Sequence, residues 1–475
     1  MKKQADIRCL CELMENPVGI DLAAPRFSWG SDTIYEKQKG YRIVVSDSEE
    51  FALPVWDSGY VESEESNLIG YGGKELKSGT RYYYYIEIFC EKQQYISPVF
   101  TFFTAILEER NWDECFIGGA GAKHSFLIRW PFLIRDKVKT AAAFVASPNY
   151  YQLTFDGAAV RDTKLNNAFT EYTQTLLYET YPLQAGKGEH VLGIEMGNGW
   201  YAMELGERGV AKGEHILAIQ IRVEYVDGTV EWLTSGCDNC YCSSFAPAVQ
   251  NSIYCGETYD ARLAQPGFDT AEFIMSKERR WEKAFWQDPP GGKIRAQMME
   301  PIRIAEELSP KEIWQCGDGS YTVDFGQNFA GWIRLTAWGR AGQEITIKYA
   351  ELINEDHTIN DSSLNGLHVT DKFILKGQGT EAFEPKFTYH GFRYVQIEGL
   401  EAGLLKEHIT GCVVHSSVKK ISGFETDHAL LNRFYRCMMW TERSNLYGIP
   451  TDCPQRSERV GWLNDMTVRN ECALY

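Results

Sequence analysis

Between Asp452 and Asp465 the run DCPQRSERVGWLND gathers the carboxylates of Asp452, Glu458 and Asp465, the guanidiniums of Arg456 and Arg459, and the indole of Trp462. These types suit sugar chemistry. A carboxyl can act as acid, base or anchor for neighbouring hydroxyls, a guanidinium can hold hydroxyls or tune a carboxyl, and an indole face stacks on the apolar side of a pyranose. Pro450 and Pro454 keep the segment from continuing as helix. The plain alternative is a charged, solvated loop between two helices, which composition alone favours.

Other groupings carry less. Cys237, Cys240 and Cys242 with Cys255 have the wrong spacing for a zinc site and no obvious fourth ligand, so no metal is expected. The oxygen-rich stretch Asn354 to Ser363 lacks the spacing of a dedicated calcium loop and reads as a solvated turn. Cys453 with His415 or His428 is a weak nucleophile–base pair, and Gly118 to Lys123 (GGAGAK) lacks the strand-to-helix setting of a nucleotide loop; no cofactor is expected. Trp200 and Tyr201 are candidate exposed aromatics for sugar binding.

The elements that position these residues are mostly strands. Alternating runs such as Tyr41–Ser48, Tyr82–Phe89, Thr140–Gly157, His190–Trp200, Tyr321–Gly339 and Phe392–Leu400 have period two, and Asp227-Gly228 sits between two such runs as a hairpin turn. Trp29 and Trp56 are candidate core aromatics of the first unit. Only after about residue 415 does the period change: Leu430, Leu431, Phe434, Met438 and Thr441 fall at helical spacing behind an N-cap at Thr426 or Asp427. Helix ends near Asn445 and resumes after the proline loop.

Composition narrows the partners. The 475 residues hold 48 Lys plus Arg against 65 Asp plus Glu, a formal net charge of -17, which argues against nucleic acid and anionic membrane surfaces. No apolar run has the length of a spanning helix, and the N-terminus lacks the apolar core of a secretory signal. Thirteen cysteines in an odd, scattered set fit reduced thiols, hence a cytoplasmic location.

The segment PTDCPQRSERVGWLND resembles the signature of bacterial α-L-rhamnosidases, and five upstream segments resemble the same family in the same order. They are NPVGIDLAAPRFSW (from Asn16), GNGWYAMELG (Gly197–Gly206), YCGETYDAR (from Tyr254), DFGQNFAGWIRL (from Asp324) and EPKFTYHGFRYVQI (from Glu384). The resemblance implies a mainly β chain of three consecutive sandwiches: fibronectin type III-like (1–107), jelly-roll carbohydrate-module-like (108–303) and concanavalin-like (304–415). They are followed by the first helices of an incomplete (α/α)6 six-hairpin barrel (416–475). It implies Glu458 as general acid, Asp452, Arg456 and Asp465 as contacts for rhamnose hydroxyls, and Trp462 lining the sugar pocket. Ser457 departs from the family, where an acidic residue is common.

The implied reaction releases terminal α-L-rhamnose from a rhamnose-containing oligosaccharide or glycoside with inversion, which needs a second carboxylate across roughly 6.5 to 9.5 Å. Twelve helices need well over about 150 residues, so the base is expected outside this chain. An oligomer or second chain completing the barrel is then expected to cover Leu430, Leu431, Phe434 and Met438. The competing reading is a non-catalytic carbohydrate-binding or structural fragment.

Overall fold

A computed structural model describes residues 2–34, 36–119, 124–202, 213–401, 403–471 and 473. Residues 120–123 of the glycine-rich stretch and 203–206 of the GNGWYAMELG segment lie outside the described residues. Among the described residues no helix is long and apolar enough to cross a membrane.

The first unit packs an eight-stranded sheet on a three-stranded one. Phe27 and Trp29, side by side in the strand Arg26–Gly30, are both buried, and Tyr84, Ile86 and Phe102 close the core. Trp29 satisfies its indole N–H on Gln38 Oε1 at 2.9 Å, whereas Trp56 is only half-buried, its ring 5.1 Å from that of Tyr71.

The second unit faces a seven-stranded sheet against a six-stranded one. Its strand Val138–Ala146 shows why the sequence there is almost continuously apolar. Ala141, Ala143 and Val145 enter the core between the two sheets, while Ala142, Phe144 and Ala146 enter a second cluster shared with neighbouring units. A strand covered on both faces has no polar side to show. The expected hairpin is present: Ile216–Tyr225 pairs with Val230–Thr234, Gly228 takes φ +88°, and Asp227 Oδ1 accepts from the Thr229 amide at 2.9 Å.

The third unit is a ten-stranded sheet built on the 17-residue strand Tyr321–Ala337. Its pairing with His390–Glu398 shifts register between Asp324 and Phe329, a bulge that frees Gln327 and Asn328 from the ladder. The strands Ala248–Ser252 and Gly256–Asp260 fall inside the interval 108–303 yet pair into this third sheet, Gly256–Asp260 running parallel to Thr370–Ile374. The second and third units are therefore laced together.

Two helices follow, α1 (Ala429–Ser444) and α2 (Leu463–Arg469). The N-cap of α1 is His428, one or two residues beyond the expected position, and Thr426 instead accepts the His428 amide at 3.1 Å. The face expected to lie open does so at Leu430, Leu431 and Phe434, at 66%, 47% and 68% exposure, while Met438 is half-buried. Tyr435 and Glu442 turn inward.

One side-group expectation, the exposed pair Trp200 and Tyr201, is corrected, and the structure also places the cysteine groupings. Trp200 is 3% exposed and its ring meets Phe169 and Tyr254 edge-on, so it is a core residue rather than a sugar platform; Tyr201 is half-buried. Cys240 and Cys242 are buried in the core of the second unit, whereas Cys255 packs against a different cluster, so the four thiols do not converge. His415 is buried with Nδ1 on the Ser416 carbonyl, and burial pushes the Cys453 thiol up, the opposite of an activated nucleophile.

Candidate functional site

The loop after α1 is fastened at both ends. Tyr447 stacks on Tyr389 at 3.7 Å and donates to the Val414 carbonyl at 2.6 Å, and the Asn445 carbonyl accepts the Thr451 amide at 2.8 Å. Asp452 then closes the loop on itself: its amide donates to the Val460 carbonyl and its Oδ1 accepts the Val460 amide, both at 3.1 Å. Pro454 and Gln455 lie so close to Gly391 that a Cβ there would meet Pro454 Cγ at 2.7 Å, which is why the third sheet presents glycine at this point.

Inside the closed loop, Asp452, Cys453 and Glu458 bring their ligand-type atoms within 4.8 Å of one another. Arg456 sits beside them, its Nη2 2.9 Å from Glu458 Oε2. Contact with Cys453, and then the Glu458 and Asp452 charges, push the Arg456 pKa up, so this cation is permanent. A permanent cation lying within the cluster opposes a second one, and the group is better suited to hydroxyls than to a metal ion.

A cleft of about 500 Å³ opens where this loop meets α1 and the bulge of the long strand, lined among others by Gln327, Asn328, Glu351, Trp440, Asp452 and Arg456. Asn328 Nδ2 donates to Glu351 Oε1 at 2.8 Å. Asp452 Oδ2 is buried from water and has no hydrogen-bond partner. That leaves one buried, unpaired acceptor in the wall of a polar cleft.

Of the five residues singled out in the sequence, the loop thus unites Asp452, Arg456 and Glu458. Trp462 precedes α2 at 45% exposure and Asp465 lies exposed in its first turn. Arg459 was gathered with the loop's charges, but neither it nor Tyr254 was read as holding the loop. Arg459 is fully buried, its Nη1 donating to the carbonyls of Ile253 and, at 2.6 Å, Tyr389, and its Nε to Arg456 O at 3.0 Å. Tyr254 donates its hydroxyl to the Glu458 carbonyl at 3.0 Å. The signal for Tyr254 was the upstream segment that begins with it, and the signal for Arg459 was its place in the loop signature itself.

Family comparisons cover the chain in four consecutive pieces. Residues 7–108 match a Rha78A-like N-terminal immunoglobulin domain, 136–306 an α-L-rhamnosidase N-terminal domain, 314–415 a bacterial α-L-rhamnosidase concanavalin-like domain, and 419–475 a bacterial α-L-rhamnosidase six-hairpin glycosidase domain. An α-L-rhamnosidase of Formosa agariphila is 30% identical over 98% of this chain and 54% of its own length; one of Streptomyces avermitilis is 35% identical over 72% of this chain and 33% of its own. The solved α-L-rhamnosidase of Dictyoglumus thermophilum superposes with TM-score 0.89 at 35% identity, covering 98% of this chain and 55% of that one. The Streptomyces avermitilis enzyme, solved with L-rhamnose, shares the fold at TM-score 0.82 and 24% identity, covering 99% of this chain and 63% of that one. The chain spans about half the length of the Formosa relative. Four rhamnosidase domains in order, over a fold shared end to end with solved rhamnosidases, leave one conclusion: the chain belongs to the bacterial α-L-rhamnosidase family.

Proposed function

We propose that the chain serves the hydrolysis of terminal, non-reducing α-L-rhamnose from rhamnosides with inversion of configuration. The unpaired Asp452 Oδ2 acceptor, buried in the wall of the cleft close to Glu458, is the observation that carries the reading. In it, Asp452 and Arg456 hold rhamnose hydroxyls, Trp462 stacks on the ring, and Asp465 adds a further acceptor. Glu458 gives its proton to the glycosidic oxygen, the aglycone leaves as an alcohol, and water adds to the anomeric carbon from the opposite face, losing its proton to a second carboxylate. Donation requires the neutral Glu458 carboxyl, and Arg456 and Asp452 are charged side chains that lie beside it. A reducing, cytoplasmic setting belongs to the same proposal, in keeping with twelve free cysteines among the described residues.

The test is release of p-nitrophenol from p-nitrophenyl α-L-rhamnoside beside a Glu458→Gln control, with NMR of the first anomer formed. Hydrolysis lost in the control, with β-L-rhamnose formed first, supports the assignment; activity surviving in the control overturns Glu458 as acid. The Arg456–Glu458 pair also favours a second, non-catalytic reading, in which the cleft binds rhamnose with an ionised Glu458. Calorimetric binding of L-rhamnose without turnover by this chain would select it.

A further inference from the structure

We infer that Tyr254 and Arg459 are positioning residues for Glu458, which makes the Ile253–Tyr254 turn part of the reacting site; the inference rests on the reading of Glu458 as the acid. Three observations meet at one point of the backbone. Arg459, the next residue, takes φ +54°, a left-handed conformation that an arginine adopts at a cost of order 1 kcal/mol or more. Its guanidinium is completely buried, and the titratable groups that face it are the tyrosines 254, 389 and 447 and Cys453, not a carboxylate. Three main-chain carbonyls, those of Ile253, Tyr389 and Arg456, meet the charge instead. The third observation is the Tyr254 hydroxyl on the Glu458 carbonyl, with the Tyr254 ring 5.8 Å from the guanidinium it helps to enclose.

A strained backbone and a buried, carboxylate-free cation are both unfavourable in isolation. Together they have one geometric result. The turn at Arg459 sends that side chain inward onto the third sheet, while the Glu458 side chain, 26% exposed, stays beside Arg456 and Asp452, which both line the cleft. The anchors come from separate places in the chain. Ile253 and Tyr254 join the strands Ala248–Ser252 and Gly256–Asp260, and Tyr389 immediately precedes His390–Glu398. A general acid must reach its oxygen within about 2.6 to 3.2 Å, and a misplacement of about 1 Å can cost ~100-fold in rate. A loop held from two sides meets that demand where a solvated loop does not.

The test uses two readouts that fail separately. Hydrogen exchange on this 475-residue chain reports the clamp without any need for activity: Tyr254→Phe is expected to speed exchange of the amides in 452–460. Steady-state hydrolysis of p-nitrophenyl α-L-rhamnoside by the enzyme carrying the same substitution reports the coupling. A kcat lower by about 10- to 100-fold with KM within about twofold is expected, because the proton donor and not the sugar contacts has moved. Arg459→Lys, which keeps the charge and loses the fork, is expected to act in the same direction. Tyr254→Phe removes a single hydroxyl, so it decides the matter even if the arginine variant does not fold. Unchanged exchange in Tyr254→Phe overturns the clamp. Faster exchange with unchanged kcat overturns the positioning role while Glu458 stands, provided Glu458→Gln is inactive. Wild-type kcat in Glu458→Gln overturns the acid assignment and the catalytic part of the inference with it, a result read in a different variant.

Discussion

Glu257 offers the sharpest test of the buried electrostatics that join the second and third sheets. Its side chain is fully enclosed, with Oε2 accepting the amides of Lys386 and Phe387 at 3.0 Å each and Oε1 without a partner. Burial, reinforced by the Asp371 and Glu195 charges against the opposing Lys386 amide and ammonium, pushes its pKa up to about 8 from 4.5. A carboxyl raised on folding holds its proton longer in the native state than in the unfolded chain. Its contribution is complete below pH 4.5 and is lost as pH rises through 8. For these two values the loss between pH 5.5 and pH 8 is about 3 kcal/mol. Glu257→Gln keeps an acceptor for the two amides and cannot ionise, so it removes this slope and leaves the rest of the titration in place. Thermal unfolding of both proteins from pH 5.5 to 8 is expected to show the smallest difference in midpoint at the acid end. The variant should gain on the wild type towards pH 8, by roughly 6 to 12 °C for a unit of 150 to 250 residues. Parallel midpoint curves, with a difference constant to within about 2 °C, would refute the reasoning and assign a normal ionised carboxylate to this site.

Three further outcomes are expected. Gly331 takes φ +147°, and a Cβ there would lie 1.9 Å from the Cys412 carbonyl oxygen, so Gly331→Ala should destabilise the third unit by about 3 kcal/mol or more, read from its urea midpoint. Leu431→Arg together with Phe434→Ser should lower self-association of this chain in light scattering, since both side chains are exposed on one end of α1; unchanged association would place the contact elsewhere. Iodoacetamide followed by mass spectrometry should modify the exposed Cys437 well before Cys453, which is 6% exposed with its thiol pushed up by burial.

The parts of the fold that were legible in the sequence are those set by local chemistry. Period two in Tyr321–Ala337, Asp227-Gly228 at a hairpin and the helical spacing from Leu430 each depend on neighbours a few residues away. The loop from Asp452 was legible by the types it gathers. What could not be read depends on distant partners. Nothing local marks Gly256–Asp260 as a partner of Thr370–Ile374, and nothing local distinguishes Trp200 in a core from Trp200 on a surface. Arg459 looks like one more charge in a polar loop, because the carbonyls that make its burial tolerable belong to Ile253 and Tyr389. The open side of α1 was foreseen at three of four positions, Met438 failing because the helix turns it partly towards the protein.

The strand Gly256–Asp260 also puts a timetable on synthesis. Its Glu257 amide bonds to Asp371, 114 residues further along. At about 5 to 20 residues per second a ribosome needs roughly 6 to 23 s to make that partner. Throughout that interval the paired strands Ala248–Ser252 and Gly256–Asp260 stand as a bare ribbon with one edge open to any other extended chain, including a second nascent copy. Yield in cells is therefore sensitive to how fast residues 260–370 are translated, and pausing codons placed there should cost soluble protein without altering a single side chain.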